Sequence, residues 1–144
     1  MKPIFITGTG TDVGKTLVSA IIVEALKADY WKPVQAGFSD GTDSLFVRQV
    51  ISPPLTIKHQ DCYLIKIPAS PHLAAPAEKK EITIKEIIDH LPKTHNQLII
   101  EGAGGLMVPL NKNQFMLDLI KRLNAKVIVV SKNELGSINH SLLT

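Results

Sequence analysis

Nine residues near the N-terminus restrict the fold of this chain more than any other stretch. Gly8–Thr16 read Gly-Thr-Gly-Thr-Asp-Val-Gly-Lys-Thr. The apolar run Ile4-Phe5-Ile6 leads into them, and a helical pattern from Leu17 to Leu26 leaves them. Strand, glycine-rich turn, Gly-Lys-Thr and helix together make a phosphate-cradling P-loop in its expected context. Glycines let the backbone curl so that successive N–H groups face one anion. The following helix adds the positive end of its dipole. Lys15 brings a full charge to the outer phosphates, and the Thr16 hydroxyl suits Mg²⁺, a cation that takes oxygen ligands. The nucleotide-contacting residues expected here are Gly10, Thr11, Asp12, Val13, Gly14, Lys15 and Thr16. The loop is a variant: counting back from Gly14 puts Thr9 at the first glycine position, with Gly8 one residue earlier. The bland alternative is a glycine turn that joins strand to helix and binds nothing.

A chain of 144 residues, 44% hydrophobic and 20% charged, is expected to form one domain, residues 1–144, with a sizeable core. The net charge of +3 is small and its lysines are scattered, which argues against nucleic acid as a partner. Cys62 is the single cysteine, so no internal disulfide forms and a reducing compartment is expected. The residues between Lys2 and Gly8 are too few for a signal peptide, and no apolar run approaches membrane-spanning length. A cytoplasmic protein without a membrane partner is the expectation.

In chain order, Ile4–Thr7 reads as a buried parallel strand and Thr16 to about Ala28 as a helix. Leu17, Ile21, Val23, Ala25 and Leu26 are its expected sheet-covering face. Tyr30–Val34 reads as a second strand ended near Pro33. Lys32, at the C-terminal end of that strand, is either a surface lysine or a ligand for the P-loop anion. Gln35–Thr42 reads as a loop, and a helix with Leu45, Phe46, Val47, Val50 and Ile51 begins at Asp43. Asp43 is either a cap or first-turn acid, or a metal ligand that faces the phosphates. Ser52–Lys80, with Pro53, Pro54, Pro68, Pro71 and Pro76, reads as a long irregular excursion with one extended piece at Cys62–Ile67. His72 within it reads as structural or exposed, and the five histidines show no metal-ligand spacing.

Thr83–Glu86 is a capping box ahead of an apolar stripe of Ile84, Ile87, Ile88 and Leu91, with Pro92 as the stop. Gln97–Ile100 reads as a buried strand that delivers Glu101-Gly102-Ala103-Gly104-Gly105. An acid at such a strand end is where P-loop proteins keep a second Mg²⁺-directed carboxylate. The glycines 102, 104 and 105 allow close approach of backbone to a partner. Phe115–Leu123 reads as a helix with Phe115, Leu119 and Leu123 on one face, and Lys126–Val130 as a further buried strand. Gly136–His140 opens a last helix with Ser137 as N-cap. These alternations amount to an α/β fold, a mostly parallel P-loop sheet with helices on both faces.

Taken together the motifs resemble the dethiobiotin synthetases. The residues that carry the resemblance are Gly8–Thr16, Lys32-Pro33-Val34, Asp43, Ser70-Pro71-His72, Glu101–Gly105, Pro109-Leu110 and Leu135-Gly136-Ser137-Ile138-Asn139-His140. They run in family order along nearly the whole chain. The resemblance implies an ATP-dependent cyclo-ligase of biotin biosynthesis that closes the ureido ring of 7,8-diaminononanoate with CO2. Lys15, Lys32 and Thr11 are then the catalytic residues, with both lysines on phosphate and carbamate oxygens. Thr16, Asp43 and Glu101 gather Mg²⁺, and Glu101, Gly102, Ala103 and Gly104 join the P-loop around ATP. A homodimer with small-molecule substrates is also implied.

This sequence departs from the family in two places. Ala36 stands where the family usually has a hydroxyl, so one substrate hydrogen bond is expected to be missing. Family chains also run about a third longer or more, and an intact phosphate half-site with an incomplete base pocket is the corresponding expectation. Other readings are a nucleotide-binding module without turnover, or a relative of the cobyrinate amidating enzymes or the ParA/MinD-like ATPases.

Overall fold

A computed structural model describes residues 1–39, 41–52 and 59–144. Pro53 and Pro54 of the expected excursion therefore lie outside the described residues. The P-loop strand β1 (Ile4–Gly8) is central in a four-stranded parallel sheet. Its neighbours are β5 (Leu98–Gly105) and β6 (Lys126–Val130), and β2 (Asp29–Trp31) lies beyond β5, giving the order β2-β5-β1-β6. A second, two-stranded parallel sheet pairs β3 (Val34–Ala36) with β4 (Tyr63–Ile65).

Alternation along the strands divides the core in two. Phe5, Trp31 and Ile100 point to one face, where they meet α3 (Pro71–Ala77), α4 (Ile84–Asp89), α5 (Met116–Leu123) and the small sheet. Ile6, Tyr30 and Ile99 point to the other, under α1 (Lys15–Leu26) and α2 (Asp43–Val50). Both faces of the sheet are thus covered by helices, as the continuous apolar runs of β1 and β5 require. Among the described residues no helix is long and apolar enough to cross a membrane.

Several expectations need correction. Helix α1 turns Ser19, Ala20 and Val23 to the sheet, while Leu17 and Ile21 stay 54% and 59% exposed and Leu26 is also exposed. The helix is apolar nearly all round, and small residues let it lie closer to the strands than the larger stripe would. Tyr30–Val34 is two strands in two sheets. Pro33 has no N–H to continue a ladder, and its carbonyl accepts from Tyr63 N at 2.8 Å where the chain moves to the small sheet. The Ser52–Lys80 excursion holds the expected extended piece as β4, and is more regular than expected in also holding α3, with Pro71 in its first turn.

Strand β6 is an edge strand rather than a buried one, with Val127 and Val129 exposed. In α6 (Ser137–Leu143) the N-cap is Gly136, at φ 94°, and not Ser137, and none of the helix is buried. Helix α4 ends at Asp89, before the expected stop. In α5 the buried residues are Met116, Leu119, Ile120 and Leu123; Phe115 sits at the N-cap, where its N–H is accepted by Asp118 Oδ2 at 2.8 Å.

Candidate functional site

Parallel strands deliver their C-terminal ends to one edge of a sheet, and ligands of open α/β sheets bind there. Four separate stretches converge at that edge. The start of α1, just after the glycine-rich loop, supplies Lys15 and Thr16. Lys32 follows β2, Asp43 opens α2, and Glu101 lies within β5. With Thr11, Asp12, Gly14, Ala103, Gly104 and the small residues around Gly37 and Ser70, they line a cleft of about 1110 Å³. That is ample for a nucleotide-sized ligand.

The loop bends through two left-handed residues, Asp12 at φ 54° and Gly14 at φ 96°. This is the backbone habit of an anion nest, and it ends where the first N–H groups of α1 have no intrahelical partner. Lys15 folds back over the loop and donates to the Gly10 carbonyl at 2.7 Å. Burial, with help from Lys32, holds its ammonium below the ordinary lysine range.

Glu101 is the hub of the site. Its Oε1 accepts from Thr16 Oγ1 and from Lys32 Nζ, each at 2.9 Å, and its Oε2 accepts from Tyr30 Oη at 2.9 Å. Lys32 Nζ also pairs with Asp43 Oδ2. Burial alone pulls the Lys32 ammonium down, but Glu101 and Asp43 outweigh it and hold it above its usual range. Burial and then the Glu101 charge push the Tyr30 phenol well above a normal tyrosine.

The register between β1 and β5 changes just after Glu101. Ile6 pairs with Glu101 and Gly8 with Gly105, so β5 spends two extra residues on the same rise. Glu101 is the last residue in regular register, and the detour that follows it contains Ala103 and Gly104, which line the cleft. The glycines beside them do serve close approach, but to the protein itself. Gly102 faces the Phe5 ring, and Gly105 faces the Gly8 carbonyl. Gly10, Val13 and Gly102 are not in the cleft lining. Val13 packs against Gly8 and the α1-side core instead.

Asp43 is a first-turn residue with its side chain on Lys32; the cap is Thr42, whose hydroxyl accepts from Leu45 N at 3.1 Å. The first-turn reading of Asp43 is thus met, and its side chain also lines the cleft. His72 is outside the cleft lining and pairs with Ser70 Oγ at 2.9 Å. Sequence reasoning missed Tyr30 and Gln35. The Gln35 amide is buried, accepts from Asp43 N at 3.2 Å and donates to the Gly37 carbonyl at 2.9 Å, tying β3 to the start of α2. The available signal for Tyr30 was its position two residues before Lys32 on one strand, hence on the same face.

The donor set fits Mg²⁺. Among the described residues no group of three or more His, Cys, Asp or Glu is placed to hold a metal. Two carboxylates and a hydroxyl are instead gathered beside a phosphate cradle. Mg²⁺ commonly binds through one or two carboxylates and takes its remaining ligands from water and substrate phosphates.

Comparison with known proteins gives a consistent result. A family model described as an AAA domain matches residues 2–144. The ATP-dependent dethiobiotin synthetase BioD of Cytophaga hutchinsonii is 53% identical over 145 residues, which is 100% of this chain and 69% of that protein. The proteins of the same name from Christiangramia forsetii and Paramagnetospirillum magneticum are 50% and 44% identical, covering 99% and 100% of this chain and 68% of each relative.

Proposed function

The chain belongs to the dethiobiotin synthetase family, and from that premise we propose how its cleft performs the family's reaction. The function is ATP-dependent closure of the ureido ring in biotin biosynthesis, a C–N bond-forming ligation on small-molecule substrates. The single observation that carries the site assignment is Lys32 Nζ held between Glu101 and Asp43 beside Thr16 and Lys15. These five residues come from four distant stretches and meet in the lining of one cleft.

One amine of 7,8-diaminononanoate captures CO2 as a carbamate. A carbamate oxygen takes the γ-phosphoryl group of ATP, and ADP leaves. The second amine attacks the carbonyl carbon of the mixed anhydride, phosphate departs, and the five-membered ring closes. No protein nucleophile is required, so the work of the chain is to position anions and neutralise developing charge. In our reading Lys15 and the loop amides hold the outer phosphates, Lys32 steadies the carbamate and transferring phosphoryl oxygens, and Thr11 faces the substrate amines from the cleft wall. Thr16, Asp43 and Glu101 would hold Mg²⁺, which would supply neutralisation of the phosphate charge. A homodimer and a cytoplasmic location complete the reading, the latter supported by a lone free cysteine.

The test is to supply ATP, bicarbonate and 7,8-diaminononanoate and to measure ADP and dethiobiotin. Formation of both supports the reading. No product, with nucleotide still protecting the chain against heat, selects binding without turnover. A Lys15→Ala control should abolish that protection; protection that survives places the phosphate site elsewhere.

A further inference from the structure

We propose that Tyr30 is a positioning residue for Glu101: its phenol pins Oε2, so that Oε1 is the single oxygen offered to a cation and to Lys32. This rests on the reading above, in which Glu101 serves a magnesium-bound nucleotide. The parallel register sets Tyr30 opposite Ile99. Side chains alternate along strands, so Ile99 and Glu101 share a face, and Tyr30 is diagonal to Glu101 on it. The two oxygens of Glu101 are then used unequally. Oε1 takes both cleft-facing donors, Thr16 and Lys32, whereas Oε2 takes the Tyr30 hydroxyl.

Thr16 and Lys32 line the cleft and have other work once phosphate and cation arrive; Tyr30 does not line it. Tyr30 is fully buried in the cluster that holds Ile6, Val47 and Ile99, so it cannot turn away without stranding its hydroxyl among apolar groups. It is the one partner of Glu101 that stays fixed when a ligand enters. A carboxylate held in this way binds a cation through one oxygen. Loss of such an outer partner typically weakens metal binding tenfold or more.

The experiment uses the full chain and reads binding through heat protection. Mg²⁺ is titrated at saturating ADP, and ADP is titrated separately in EDTA, for the wild type and for Tyr30→Phe. The expected result is a Mg²⁺ midpoint raised about tenfold, with the ADP midpoint in EDTA unchanged. In a Glu101→Gln background, Tyr30→Phe should add nothing further. An unchanged Mg²⁺ midpoint, or equal losses in both titrations, overturns the proposal. A wild type indifferent to Mg²⁺ overturns the cleft reading itself, and Tyr30's role with it. Should Tyr30→Phe not fold, fluorotyrosine decides, because the chain has only Tyr30 and Tyr63. Adding Mg²⁺ to the ADP-bound chain should shift the ¹⁹F signal of Tyr30 and leave that of Tyr63 in place; a motionless Tyr30 signal overturns the proposal.

Discussion

Lys32 Nζ lies 2.9 Å from Glu101 Oε1, with the two side chains only 5% and 1% exposed. Removing one member of a buried pair strands the other charge, which typically costs about 3 kcal/mol or more. Lys32→Met is therefore expected to lower unfolding free energy by about that amount in urea melts. Lys32→Met with Glu101→Gln should lose less than the sum of the single changes. The folded ammonium is held above its ordinary value of 10.5. Its contribution is thus complete below that pH and is lost as pH rises through the raised folded value. The gap between wild type and Lys32→Met should narrow on the alkaline side as the ammonium is lost, and also in acid as the stranded carboxylate of the variant takes up a proton.

Lys15 has the opposite sign. Burial first, and then Lys32, hold its folded value below 10.5, so the charged form is a cost to the empty fold at neutral pH. That cost is present below the lowered value and has gone once pH passes the unfolded one. Lys15→Met is expected to raise the melting temperature of the ligand-free chain, less whatever the lost bond to the Gly10 carbonyl contributes. The gain should fade at alkaline pH. The same variant should lose heat protection by nucleotide, since preorganised charge in a binding site often opposes stability.

These two lysines also show how far the chain alone could be read. Lys15 announces itself because its partner is local, in the loop that leads into it. Lys32 does not: its carboxylate partner is 69 residues further on, and a lysine before a proline looks like surface until β2 and β5 are paired. The strands were legible because runs such as Ile4-Phe5-Ile6 are apolar on both faces. The inward side of α1 was not, since a helix apolar nearly all round leaves periodicity nothing to distinguish, and small Ser19 and Ala20 carry the contact. Helix α3 and the β3–β4 sheet are short and are stabilised by long-range packing that local pattern does not record.

The capping box at Thr83 and Glu86 is closed through a third residue. Thr83 Oγ1 accepts from Glu86 N at 3.2 Å as the motif requires. The return bond runs by way of Tyr63: Thr83 N donates to the Tyr63 hydroxyl at 3.2 Å, which donates to Glu86 Oε2 at 2.5 Å. Burial and the Glu86 contact push the phenol up to about 12, so it stays a donor across the working range. Tyr63→Phe should cost about 1 kcal/mol, because Glu86 is then free to reach Thr83 N directly. Thr83→Ala removes the cap itself and should cost about as much, again near 1 kcal/mol. Combined with Tyr63→Phe it should give a loss that departs from the sum, measured by paired urea melts.

Gly102 supplies the sharpest steric test. A Cβ built there would lie 2.6 Å from Phe5 Cε1 and 3.0 Å from Cζ, and Phe5 is fully buried at the centre of the sheet. The ring has no free space to retreat into, because interiors are packed near crystal density. Gly102→Ala should therefore overpack the core and destabilise the chain by about 2 kcal/mol. The strain also falls on β5 next to Glu101, so nucleotide affinity should drop together with stability. Phe5→Leu alone removes ring atoms and leaves a void, which is destabilising in its own right. In the double variant the added methyl enters that void, so Phe5→Leu with Gly102→Ala should be more stable than the sum of the two losses and should regain nucleotide binding. If the Gly102→Ala loss is the same whether residue 5 is Phe or Leu, the strain does not run through the ring, and the glycine is needed for its backbone alone.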